Sequence, residues 1–355
     1  MIKKILSYFL IAFGLLVLGI STSKEAMRYI ITNRNGNQWW SICQWNKGDL
    51  VGMAHLDIIN KFESQEASSG FKRVNDSFPK NTNLYIFGDS YARYLKDFPW
   101  AFSGVNYLKV LDKTYACNYH LDSSKRNILL IEITERHIRY YFSDTRMLEE
   151  IYDSIGKKRN LTGVVGPHTK NYFEASILPD LKLEDFFNKN INPNLQHNLF
   201  NYQFLKPFFQ VKAAINYYLF SRADGDVVVS NDGNFLFLKE TVDRYNIVSS
   251  YYPVTNDEIN NLTNNINIIY NFYKKGGFDE VYLSIIPNPA TIVQHEGYNN
   301  LIPLIQNNPA LKMKIIDIYS VFRNTHGDYY LPGDTHWNLM GKQLWIDLVN
   351  KSITE

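Results

Sequence analysis

Apolar positions dominate the start of the chain. Lys3 and Lys4 precede an almost unbroken apolar run from Ile5 to Ile20, and no charge appears until Lys24. The apolar residues cover every helical face rather than one stripe, which argues against a half-buried core helix. The 19 uncharged residues come close to the ~20 needed to cross a bilayer. The same order, basic end then apolar run, also describes a signal peptide, with Ser21-Thr22-Ser23 offering small residues for cleavage. Anchor and cleaved peptide both stay open for segment 1–23. Either one keeps the lysines in the cytoplasm and predicts an extracytoplasmic location, periplasm or cell surface, for the remainder.

Beyond this run the pattern changes. Residues 24–80 mix polar and aromatic stretches, including Lys47-Gly48-Asp49-Leu50, and read as a helical or irregular lead-in. From 81 to 355 short apolar runs alternate with helical spacing. Buried strands are predicted at Asn83–Phe87, Asn127–Ile133, Glu280–Ile286 and Met313–Ile318. Helices are predicted at Tyr91–Asp97, at Glu258–Lys275, and at Leu339–Asn350 with Asn338 as its cap. Strands alternating with helices imply an α/β domain on a parallel sheet. Its functional groups should gather at the carboxyl ends of the strands, where Ser90 and Thr134–His137 fall. Residues 150–250 break the alternation and read as a large insertion or cap; within it, amphipathic Gln210–Phe220 is expected to pack on the sheet in preference to a membrane surface.

Composition changes this picture little. A formal charge of +2 over 355 residues gives no footprint for nucleic acid, and no nucleic-acid module is recognisable. Aromatic residues reach 15%; exposed rings can stack on sugars, but a core accounts for most of them. Cys43 and Cys117 fit no metal spacing and read as ordinary thiols, or as a disulfide if the domain is exported. No histidine pair has metal-ligand spacing, no cofactor motif is present, and His137 and His295 read as core or surface residues.

The chemistry lies in two short segments. Gly88-Asp89-Ser90 puts a serine on a tight strand-to-helix turn, with Gly88 suited to unusual backbone angles and a helix amino end favouring an oxyanion near the Ser90 N–H. A serine hydroxyl needs a base, and the base needs a group that fixes its tautomer. Asp334-Thr335-His336 supplies both: two residues apart in an extended loop, carboxylate and imidazole point the same way.

Gly88-Asp89-Ser90 resembles the first motif block of the SGNH (GDSL-type) hydrolases. Asp334-Thr335-His336-Trp337-Asn338 is similar to the Asp-x-His motif of their alginate O-acetyltransferase branch. The strand end Glu135-Arg136, the segment Asn231–Phe237 and the Pro-containing Ser284–Thr291 resemble further islands of that branch, so the likeness runs from about residue 83 to 345. It implies an SGNH-type sheet flanked by helices, no metal or other cofactor, and acetyl transfer to an exported polysaccharide, with a membrane-bound protein supplying the acyl group. Two features depart from the branch. The serine precedes the Asp-x-His motif, as in ordinary SGNH hydrolases, so the segments look permuted. The usual Gly-x-Asn-Asp block is missing, which leaves Arg136 either as second oxyanion donor or as half of an ion pair with Glu135. A carbohydrate esterase with the same triad, and a silent glycan-binding protein of the same fold, are the rival readings.

Overall fold

The computed structural model describes residues 2–33, 45, 47–64, 70–74, 78–112, 121–143, 191–325 and 327–355. Cys43, Cys117 and residues 150–190 of the insertion expected over 150–250 lie outside these. The helices that matter below are α1 (Ile2–Thr22), α2 (Lys24–Asn33), α3 (Asp49–Ala54), α4 (Glu135–Phe142), α5 (Ile191–Phe200), α6 (Lys206–Phe220), α7 (Asn256–Lys275), α8 (Pro289–Val293) and α9 (Leu339–Thr354). The strands are β1 (Thr82–Gly88), β2 (Val105–Asp112), β3 (Arg126–Thr134), β4 (Val227–Val229), β5 (Leu236–Leu238), β6 (Glu280–Ile286) and β7 (Lys314–Ile315).

Five strands form one parallel sheet in the order β2-β1-β3-β6-β7. The chain leaves β1 toward β2 on one side, then returns to place β3 on the other and continues outward to β6. This reversal opens a crevice between the carboxyl ends of β1 and β3, where open parallel sheets hold their ligands.

Side-chain alternation divides the core into two layers. Tyr85 and Phe87, Leu129 and Ile131, and Leu283 and Ile285 face α7, which contributes Ile259, Leu262, Ile266 and Ile269. Leu84 and Ile86, Ile128 and Leu130, and Tyr282 and Ile286 face α9, which contributes Trp345, Ile346 and Val349. Each such aliphatic side chain stabilises the fold by ~1.5–3 kcal/mol when fully buried. Thr255 caps α7 by accepting from the Glu258 N–H at 3.2 Å, and Asn338 caps α9 by accepting from the Gly341 N–H at 3.0 Å.

A third, smaller core joins Leu50, Val51, Ala54 and Phe62 of the lead-in to Ala213 of α6 and to the β4–β5 hairpin. Helix α6 thus packs on the lead-in and hairpin, not on the main sheet as its sequence suggested. Two other expectations change. The fourth strand shrinks to Lys314–Ile315, because a helix already begins at Ile318. Segment Tyr91–Asp97 is a bonded turn running into a 3-10 stretch at Arg93–Asp97. Strand β2 had drawn no prediction.

At the amino end, α1 is long and apolar enough to cross a membrane: Lys3–Thr22 has a mean hydropathy of 2.2. Residues 3–16 are exposed, whereas Val17, Ser21 and Thr22 are buried.

Candidate active site

The turn after β1 is built by close approach. A Cβ on Gly88 would lie 2.5 Å from Glu132 Oε2 and 2.8 Å from the Ala92 Cβ, so a side chain cannot fit there. Gly88 does not have positive φ, so space, not the backbone angle expected from sequence, demands glycine. The Asp89 N–H donates to Glu132 Oε2 at 3.0 Å. The buried Asp89 carboxylate accepts from the Tyr91 N–H and the Thr134 hydroxyl, each at 3.0 Å, and so ties the turn to the end of β3. Thr134 also lies 2.7 Å from His137 Nδ1, which is 3.3 Å from Asp89 Oδ2.

These contacts present Ser90, half-buried, to the loop before α9. His336 Nε2 lies 2.8 Å from Ser90 Oγ, and His336 Nδ1 lies 2.6 Å from Asp334 Oδ1. The three residues predicted from the two motifs therefore form one hydrogen-bonded line. The His336 N–H also donates to Asp334 Oδ1 at 3.0 Å, closing the loop on itself. Burial opposes charge on Asp334. The hydrogen bond and charge of His336 and the N–H groups of Asp49 and His336 outweigh it and hold the carboxyl below the usual range.

The rest of the support comes from the lead-in. The Asp49 N–H donates to Asp334 Oδ2 at 3.0 Å, while the Asp49 carboxylate accepts from the Thr335 N–H at 2.8 Å and from the Thr335 hydroxyl. Gly333 N–H donates to Ser64 Oγ, and Val51 N–H to the Gly333 carbonyl. On the opposite side Tyr91, fully buried, donates its hydroxyl to the Thr335 carbonyl and lays its ring 4.8 Å from the His336 ring. Trp337 packs against Tyr91 and donates to Tyr94 Oη at 3.1 Å. Two further islands meet this loop: Leu236 N–H donates to the Pro332 carbonyl, and Tyr330 donates to the Pro287 carbonyl.

Among the described residues nothing accepts the Ser90 N–H, so it is available as a donor beside the Ser90 hydroxyl. Arg136, in the first turn of α4, is half-buried, and no ion pair or hydrogen bond engages it among the described residues. Burial pushes the Tyr91 hydroxyl's pKa up; the Arg136 charge pulls the other way, which brings Arg136 within electrostatic reach of the serine turn. The Glu135–Arg136 pair considered from sequence does not form. Glu135 turns into the core, where Asn288 N–H and the Thr291 hydroxyl donate to it and burial raises its pKa. His295, half-buried, packs against Tyr298 away from the line.

Asp49, Asp334 and His336 offer ligand atoms within 4.8 Å of one another, close enough for a cation. Their oxygen atoms are already spent on N–H and hydroxyl donors, an arrangement that suits an oriented base better than an ion. Sequence reasoning missed Asp49, Glu132 and Tyr91 as parts of the site, and gave Thr134 only as part of a strand end. Only Tyr91 and Thr134 carried a local signal, being adjacent to the motifs.

In comparisons with known proteins, no protein-family model, no curated protein and no solved structure matches this chain.

Proposed function

We propose that the chain is an SGNH-type serine acyltransferase that acetylates a hydroxyl of an exported polysaccharide. The observation that carries this reading is the Ser90–His336–Asp334 line at the carboxyl end of β1, with an unused N–H on Ser90 itself. Resemblance of the motif islands to the alginate O-acetyltransferase branch supports the acetyl group and the glycan. The apolar α1 supports an extracytoplasmic site.

In this reaction His336 Nε2 takes the Ser90 hydroxyl proton as Oγ attacks the ester carbonyl of the donor. Asp334 balances the imidazolium and keeps its Nδ1 proton pointed away from Ser90. The tetrahedral oxyanion is held by the Ser90 N–H, with Arg136 as second donor. Collapse breaks the bond to the donor's leaving group, which departs with the proton from His336. An acceptor hydroxyl then gives its proton to His336 and attacks the Ser90 ester. The second tetrahedral intermediate releases Ser90, which regains its proton.

The test incubates full-length protein with an acetyl-ester donor and candidate glycans. Ser90→Ala and His336→Ala should each lower donor turnover ~10³-fold or more, and the double variant should fall no further. Wild-type turnover in clean Ser90→Ala protein overturns the assignment. Product analysis separates transfer from hydrolysis: acetylated glycan marks the transferase, and free acetate at saturating glycan the esterase.

A further inference from the structure

Helix α6 carries most of its large apolar side chains outward. Its inner side is small or polar around Ala213: Lys206 pairs with Asp57 at 2.9 Å, and Asn216 donates to Asp224 at 2.7 Å. Its outward side carries Phe208, Val211, Ile215, Tyr218 and Leu219, which are 70%, 57%, 49%, 69% and 71% exposed. These positions follow i, i+3, i+7, i+10 and i+11, so they form one stripe roughly 100° wide. An exposed stripe of this size marks a surface that meets something apolar.

The neighbouring helices identify the occupant. Exposure of α1 stops at Val17, and from there the helix is covered by α5. At that end Asn194 donates to the Ser21 carbonyl and Asn198 to Ser21 Oγ, each at 2.8 Å. Such polar groups belong at or beyond the edge of the hydrocarbon. The clasp therefore sets the level at which α1 leaves the apolar layer. Helix α5 ends nearby with Leu199 and Phe200 exposed, and the five-residue link to α6 reaches no more than ~18 Å. Neither α5 nor α6 contains an acidic residue. Lys212, on the rim of the stripe, is 69% exposed while paired with Asp224 at 2.9 Å, and the Arg222 guanidinium lies over the Phe220 ring. Aromatic and aliphatic residues bordered by basic ones suit the headgroup boundary of an anionic bilayer.

We propose that α6 lies on the lipid surface where α1 leaves the bilayer, its stripe sunk to the headgroup–acyl boundary. The inner side of α6 meets α3 through the core that contains Ala213 and Leu50. Asp49, the first residue of α3, holds the Asp334–His336 loop. Lipid contact on α6 thus fixes the serine line relative to the membrane, where a membrane-bound acyl donor delivers its group. The proposal rests on α1 being a membrane span, and the experiment separates the two.

The photoreactive residue p-benzoylphenylalanine is placed singly at Phe208, Ile215 or Tyr218 in the full chain, with Phe9 of α1 and the 94%-exposed Tyr245 as references. Each protein is irradiated in vesicles of phosphatidylethanolamine and phosphatidylglycerol, and in native membranes, after thermal unfolding confirms the fold. Lipid adducts at Phe9 and at the stripe, several-fold above Tyr245, are expected in both settings. Adducts at Phe9 with none at the stripe overturn the proposal and leave the anchor standing. Crosslinks from the stripe to another polypeptide overturn it in favour of a protein partner. Failure at Phe9 as well removes the anchor and the proposal together.

Discussion

Asp49 shows how the hydrogen-bonded line of Ser90, His336 and Asp334 depends on a residue that is not part of it. It touches neither Ser90 nor the reacting atoms, yet its N–H and carboxylate hold both Asp334 and Thr335, and its Oδ2 lies 3.9 Å from His336 Nδ1. Asp49→Asn keeps the backbone donor but gives up one of the two bonds to Thr335. This positioning residue should therefore cost about tenfold in kcat with KM and thermal stability nearly unchanged, because a small misplacement of a base is enough to slow attack. The downfield proton resonance between His336 and Asp334 should shift or broaden in the same variant. A parallel fall in stability with an unchanged resonance would make Asp49 merely structural. Asp334→Asn should cost more, ~10²–10⁴-fold, since it favours the wrong imidazole tautomer. Ser90, Asp334 and His336 were legible in the sequence because each motif spans three residues and its geometry is local. Asp49 was not, since its bond to Asp334 joins positions 285 apart and no period or motif connects them. Gly88 was singled out for the wrong reason: the Glu132 side chain that excludes a Cβ belongs to another strand.

Elements were readable where period and burial agree. Strands β1, β3 and β6 are apolar on both faces, as central parallel strands should be, and their sequences announce them. Strand β2, at the sheet edge, exposes the adjacent Asn106 and Tyr107 and gave no such signal. Helix α6 was found as amphipathic, but periodicity cannot say which side faces inward. Strand β7 is too short to stand alone and depends on a charged clamp at the rim. There Glu280 of β6 meets Arg126 of β3 and Lys314 of β7 and accepts from the Tyr282 hydroxyl, while Arg126 also donates to the Ile353 carbonyl of α9. Burial alone would raise the Glu280 pKa; the Lys314, Tyr282 and Arg126 partners overcome it and lower it to about 2. A carboxyl depressed in the folded state adds stability above its unfolded value of 4.5, and that stability drains away as pH falls toward about 2. The nominal shift is worth ~3 kcal/mol, and solvent at this rim reduces it to ~1–2 kcal/mol. Glu280→Gln should destabilise the protein by that amount in urea unfolding at neutral pH. The gap from wild type should narrow steadily below pH 4.5. A gap independent of pH would exclude the charge as its source.

At the scale of the whole molecule, the amino-terminal helix decides whether the domain is tethered or free. Sequence left anchor and cleaved signal peptide equally open, because Ser21-Thr22-Ser23 looks cleavable and the apolar run suits both. What surrounds those residues is our reason for expecting the anchor. Ser21, Thr22 and Ser23 are all buried, and Ser23 starts α2 by accepting from the Ala26 N–H at 3.2 Å. Asn198 donates to Ser21 Oγ and approaches Met27 Sδ, so this segment is part of the junction between α1, α2 and α5. Cleavage after Ser23 would leave Asn194 and Asn198 beside a new surface without the Ser21 groups they now bond. Signal peptidases also act on extended, accessible chain, and this stretch is packed and flanked by helices. We therefore expect residues 1–23 to be retained: in protein isolated from membranes, peptides that run unbroken across Ser21-Thr22-Ser23-Lys24 should be recovered by mass spectrometry. Alkaline phosphatase fused after Glu355 should be active, because Lys3 and Lys4 hold the short end of α1 in the cytoplasm. Reversing both lysines to glutamate should weaken export of the fusion without touching the domain, since residues 3–16 contact little of it. An active fusion on a chain that begins at Lys24 would restore the signal peptide, and with it a freely diffusing domain.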